Sequence, residues 1–120
     1  MKPYQDARVE GEKLAKQYAE LEKADQVDFY NGLEGYYSVL GHNKKQEAIA
    51  VLIEKNEHKI YVYQLDKGIS QDKAATISRE KGASDIDKVT FGRYQDKPIW
   101  EVKSGNQYYL VDFETGAVIQ

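Results

Sequence analysis

The chain has 120 residues, no cysteine, and 17 basic against 20 acidic residues, for a net charge of −3. Charges of both signs are interspersed with no basic stripe, which argues against a nucleic-acid surface. The lack of cysteine excludes disulfides, thiol chemistry and thiolate metal sites. The longest wholly apolar run, Ala48 to Ile53, is six residues, far below the roughly 20 that a membrane-spanning helix needs.

Tyr4, Ala7, Gly11, Leu14, Ala15, Tyr18 and Leu21 recur at helical spacing, and Pro3 suits a first-turn position. The sequence therefore predicts a helix from Pro3 to Lys23. Gln26 to Tyr30 reads as a strand, Asn31 to Gly35 as a turn, and Tyr36 to Gly41 as the next strand. His42 to Gln46 forms a polar connection, followed by strands from Glu47 to Ile53 and from Lys59 to Leu65. Asp66–Lys67–Gly68 links to a second helix from Gln71 to Lys81. Ser70 is its N-cap, Ile69 stands at the hydrophobic-staple position, and Gly82 is its stop. Ala74 and Ile77 lie on one side of this helix, and a strand from Ile86 to Tyr94 follows. Trp100 and Val102 then meet Tyr109 and Val111 across Gly105–Asn106, a pair suited to a two-residue II′ turn. That register sets Trp100 against Val111 and Val102 against Tyr109, with Glu101, Lys103, Tyr108 and Leu110 on the other face. A slip of one residue would split the apolar set between faces. A last hairpin turns at Glu114–Thr115–Gly116, with Gly where positive φ is needed, and returns through Val118 to complete an antiparallel meander.

The order helix then strands occurs twice. Val27–Phe29 matches Val89–Phe91, and Tyr37–Val39 matches Trp100–Val102, as a repeat of pattern rather than of identity. The expectation is an α+β chain of two tandem lobes, residues 1–66 and 67–120, each a helix packed on an antiparallel sheet.

No catalytic, cofactor or metal constellation emerges. His42 falls in the polar connection and His58 in the Asn56–His58 turn, both read as solvated turn residues without a second ligand at usable spacing. No serine sits in a nucleophile elbow, and no glycine run makes a phosphate cradle. Glu10 with Lys13, Glu12 with Lys16 and Glu20 with Lys23 read as helix-surface pairs. Asp112 and Glu114 read as turn residues. Function is therefore expected to be binding rather than catalysis. Tyrosine is the one excess, ten of 120 residues. Tyr36, Tyr61 and Tyr63 with Leu40 and Leu52, and Tyr108 with Leu110, fall on the sheet faces opposite the predicted cores. They serve either to pack the two halves together or as an amphipathic recognition surface, and these residues are the candidate partner-binding set.

The segment from Ser70 to Gln120, with ISQDKAATI, KVTFGRYQDKPIWEV and YYLVDFETGAVI, resembles the PepSY domain, whose hairpin here is Val111–Asp112, Thr115–Gly116 and Val118. With the YYSVLG strand, the KKQEA connection and the DKGIS linker added, the whole chain resembles the TseB-like cell-wall elongation regulators of Firmicutes. The resemblance implies two cystatin-like lobes, a non-catalytic role and no cofactor. It also implies a single membrane-spanning helix upstream of this chain, which places these residues on the extracytoplasmic face of the membrane. The implied partner is a penicillin-binding protein of Gram-positive lateral wall synthesis. A second reading from another class follows from PepSY itself: a peptidase inhibitor or propeptide-like module offering a hairpin to a protease cleft. Edge strands at the outer rim of either lobe are places where a second copy could pair.

Overall fold

The structure, a computed structural model, describes residues 3–31, 35–56 and 59–119, and of residues 3–8, 10 and 18 the backbone alone. His58 therefore lies outside the described residues. The chain divides into two compact units, Met1–Gln64 and Leu65–Gln120. Each holds one α-helix and one antiparallel sheet, the α+β arrangement expected.

In the first unit α1 (Pro3–Tyr18) precedes β1 (Leu21–Asn31), β2 (Gly35–Asn43), β3 (Ala48–Glu54) and β4 (Ile60–Gln64), which lie side by side in chain order. The helix stops well short of the predicted Lys23. Glu20 takes a left-handed backbone conformation, φ 57°, that ends it, and residues from Leu21 join the sheet. Helical charge spacing misled here because the deciding interaction is long-range. β2 recruits Leu21 to Asp25 through two register shifts, between Leu21 and Lys23 and between Ala24 and Gln26. The Glu20–Lys23 helix pair consequently does not exist, and Lys23 instead approaches Asp25 at 3.8 Å. Glu12 and Lys16 do pair, at 2.9 Å.

The bulged start of β1 dictates a glycine opposite. A Cβ on Gly41 would lie 2.0 Å from the Lys23 carbonyl oxygen and 2.8 Å from Leu21 Cδ1. His42, read as part of a connection, is drawn into β2 by pairing with Ala48, and the turn beyond is built on Asn43. Its Oδ1 accepts the Lys45 and Glu47 amides at 2.9 and 3.0 Å. Under α1, the helix-facing core gathers Ala15, Leu21, Val27, Tyr37, Val39, Ile49, Val51 and Ile53. Gly11 lets the helix come close, since a Cβ there would stand 3.2 Å from Tyr37 Cβ.

In the second unit a 3-10 turn over Leu65–Lys67 leads to α2 (Gln71–Glu80), then β5 (Lys88–Tyr94), β6 (Lys97–Ser104) and β7 (Gln107–Asp112). The local signals at α2 were sufficient. Ser70 Oγ accepts the Lys73 amide at 3.0 Å as N-cap. At the far end Gly82 (φ 116°) donates to Arg79 O and Ala83 to Ser78 O, the paired bonds of a Schellman stop. Buried Ala74, Ala75 and Ser78 face the sheet. The β6–β7 register is the predicted one, with Trp100 opposite Val111 and Val102 opposite Tyr109. Phe91, Trp100 and Phe113 meet edge to face, with centroids 4.9 to 6.5 Å apart. The Trp100 indole donates to Ile69 O at 3.0 Å, pinning the chain just before α2. The last hairpin is shorter than expected: after the 113–116 turn it contributes only a bridge, Val111 to Val118. The third full strand of this sheet is β5, on the other side of β6.

Candidate interaction surface

Strand alternation decides what lies on the sheet face away from α1. Register places Tyr36 across from Tyr30 and Glu54, Ser38 between Asp28 and Leu52, and Leu40 beside Ala50. Tyr61 then continues the Leu52 row and Tyr63 the Ala50 row. The face predicted from the sequence is thus assembled as one aromatic-aliphatic surface. Tyr36 sits at its centre, its ring 6.4 Å from Tyr30 and 6.3 Å from Tyr61. Tyr30 was missed as a member, although its parity with Tyr36 across a hairpin would have revealed it. Glu54, also missed, is an acidic residue held buried on this face.

Exposure separates the candidates. Leu52 is fully buried, and Tyr36, Leu40 and Leu110 are buried as well. Tyr61 and Tyr63 are half-buried. Tyr108 stands out at 53 % exposed. Side chains already buried give a partner no contact area, so Tyr108, with the accessible edges of Tyr61 and Tyr63, is what the set offers to solvent.

The surroundings of Tyr108 follow from the β5–β6–β7 register. Lys88, Lys103 and Tyr108 form one cross-strand row, and Thr90, Glu101 and Leu110 form the next. Glu101 is half-buried on this face, and that desolvation pushes its carboxyl above the ordinary value, partly offset by the charge of Lys88.

Asp112, Thr115 and His42 are committed to structure. Asp112 Oδ1 accepts the Glu114 and Thr115 amides at 2.8 and 3.1 Å, and Thr115 Oγ1 accepts the Ala117 amide at 3.1 Å. The Asp and Thr of the terminal motif are therefore the fastenings of a turn. His42 Nδ1 lies 2.9 Å from Asp25 Oδ2 on neighbouring strands, so it is a partnered strand residue. Among the described residues no group of three His, Cys, Asp or Glu side chains is placed to hold a metal ion.

Comparison with known proteins places this architecture. The family described as the cell wall elongation regulator TseB-like domain matches residues 10–54. A Bacillus subtilis protein, the probable cell wall elongation regulator TseB, is 38 % identical over 114 residues, spanning 88 % of this chain and 70 % of the relative. The chain belongs to the TseB-like family. The solved structure of the YpmB protein from Bacillus subtilis superposes with a TM-score of 0.78 at 33 % identity, covering 100 % of this chain and 96 % of that one. The TseB-like match runs from within α1 to the end of β3, and so contains Tyr36, Leu40 and Leu52 of the surface above.

Proposed function

We propose that this TseB-like chain is the extracytoplasmic, non-catalytic binding part of a membrane-anchored regulator that acts on a penicillin-binding protein during cell-wall elongation. The observation that carries the reading is likeness along nearly the whole chain to a protein described as a probable cell wall elongation regulator. The site supports it in kind: an aromatic surface on rigid strands, with polar groups spent on turns and caps, suits recognition rather than turnover. The two units are cystatin-like and the second is PepSY-like. Anchoring raises effective concentration at the membrane, so weak contacts are enough, through Tyr61 and Tyr63 of the first unit or Tyr108 of the second.

The test is capture of membrane proteins from a Gram-positive cell by the full-length anchored protein, beside a variant carrying Tyr61→Ser, Tyr63→Ser and Tyr108→Ser. Recovery of a penicillin-binding protein, lost in a variant that melts like the parent, supports the proposal. Recovery of a secreted metallopeptidase moves the function to the inhibitor class. Capture of a penicillin-binding protein that is indifferent to all three tyrosines refutes the surface.

A further inference from the structure

The sheets have four edges, and the chain treats them differently. The outer edge of β7 is closed by the chain's own tail, with Ile119 donating to Leu110 O and Asp112 to Ala117 O. On the outer edge of β5, the Gln71 side chain caps Val89 O at 3.0 Å. The β1 edge is bulged twice and carries Glu22, Lys23, Asp25 and Asp28. These are the usual protections of a strand edge against pairing with another chain. Among the described residues β4 has none of them. Its sequence, Ile-Tyr-Val-Tyr-Gln, holds no charge, proline or glycine, and its pairing with β3 has no bulge.

Parity shows which backbone groups are left over. Glu54 donates to Lys59 O at 2.8 Å, which makes Glu54 and Lys59 a hydrogen-bonded pair. The alternation of an antiparallel ladder then turns the amides and carbonyls of Tyr61 and Tyr63 toward β3. Those of Ile60, Val62 and Gln64 point outward; the Gln64 carbonyl is taken by the 3-10 turn that follows, and no bond to the others is seen among the described residues. The Val62 side chain is 48 % exposed beside them.

We infer that β4 is a self-pairing edge: two copies of this chain join β4 to β4 in antiparallel order about a two-fold axis at Val62. This register sets Val62 opposite Val62 and Ile60 opposite Gln64, so the two Val62 residues exchange both their bonds and each Gln64 amide meets an Ile60 carbonyl, while each Ile60 amide shares a Gln64 carbonyl already held by its own 3-10 turn. It covers the half-exposed valine with its own copy, and it brings no like charges together because the strand has none. A five-residue strand buries less than the roughly 1,200 Å² of a stable interface. The isolated chain therefore dimerises weakly, and confinement to a surface strengthens the pairing.

The absence of native cysteine gives a clean test. Hydrogen-bonded antiparallel partners stand about 5.5 Å apart at Cα, within the roughly 4.4–6.8 Å that a disulfide spans. Val62→Cys should form a disulfide-linked dimer at least about tenfold faster under mild oxidation than Thr76→Cys, an exposed position on α2. Sedimentation of the unmodified chain should show dimer rising with concentration, and Val62→Lys should abolish it while leaving the melting temperature in place. Equal cross-linking at the two positions, or a strictly monomeric chain up to about 1 mM, overturns the inference. So does a Val62→Lys variant that loses a protein partner while the parent never dimerises, an outcome that gives the edge to a foreign strand.

Discussion

Gly41→Ala is the sharpest probe of how the first sheet is built. The added methyl would sit 2.0 Å from the Lys23 carbonyl oxygen, where C···O contacts ordinarily begin near about 3.3 Å. One strand must move by roughly 1.3 Å, and the obstacle is backbone, which cannot rotate away as a side chain would. Overpacking of this kind costs about 1–3 kcal/mol. The displaced carbonyl also weakens the ladder where Lys23 pairs with His42 and Ala24 with Gly41, and each hydrogen bond lost there adds about 1 kcal/mol. A total near 4 kcal/mol lowers the melting temperature by roughly 15 °C or more for a unit of this size. Hydrogen exchange should show the loss of protection concentrated at Leu21 to Ala24 and at the end of β2. Gly105→Ala is the control, because its Cβ meets nothing within 4 Å and only its φ of 60° is unfavourable, a cost of about 1–2 kcal/mol. If Gly41→Ala melts within about 2 °C of the parent, or is milder than Gly105→Ala, the close-approach argument is wrong.

Three further substitutions test other features. Ser78→Ala should stabilise by about 1 kcal/mol in chemical denaturation, since its hydroxyl is fully buried with no hydrogen-bond partner. A loss of stability would mean that the hydroxyl is used. Asp96→Gly should also stabilise by about 1 kcal/mol, because Gln95 and Asp96 hold φ of 50° and 65° in the two-residue β5–β6 turn that favours glycine. The Arg93–Asp96 contact, at 3.4 Å with Asp96 90 % exposed, is too weak to reverse that sign. Glu101→Gln should raise the melting temperature at neutral pH. Burial raises the Glu101 pKa, so the native state binds the proton more tightly than the unfolded chain. The stability this contributes is present below the ordinary carboxylate range and is lost as pH rises through the raised value. The advantage of Gln must therefore shrink to nothing in acid, and a gain independent of pH would refute the desolvation argument.

What could be read in the sequence was what is decided locally. Ser70 and Gly82 bracket α2 because caps depend on a few neighbouring residues, and Gly105–Asn106 set a register because a tight turn leaves the strands no choice. The end of α1 was not legible. Leu21 to Asp25 carries helical spacing, and the sheet overrides it through bulges that only the β2 partner explains. Gly41 likewise looked like a strand terminus, while its real constraint is a carbonyl eighteen positions away. The β5–β6 turn gave little signal, since neither Gln95 nor Asp96 is a residue that announces left-handed backbone as glycine does. For the candidate surface, alternation correctly placed Tyr36, Leu40, Leu52, Tyr61 and Tyr63 on one face. Alternation does not report depth, and so it ranked Leu52 with Tyr108 although one is sealed and the other open.

The single tryptophan has a further use. Trp100 is almost fully buried against Phe91 and Phe113 and belongs to the unit Leu65–Gln120. Its emission is therefore a natural gauge for that half alone, while circular dichroism sums the helices and sheets of both. Denaturation curves that coincide by the two signals describe one cooperative body. Curves that separate give each half its own free energy without a label or a truncation, and assign the effect of any substitution to the half in which it acts.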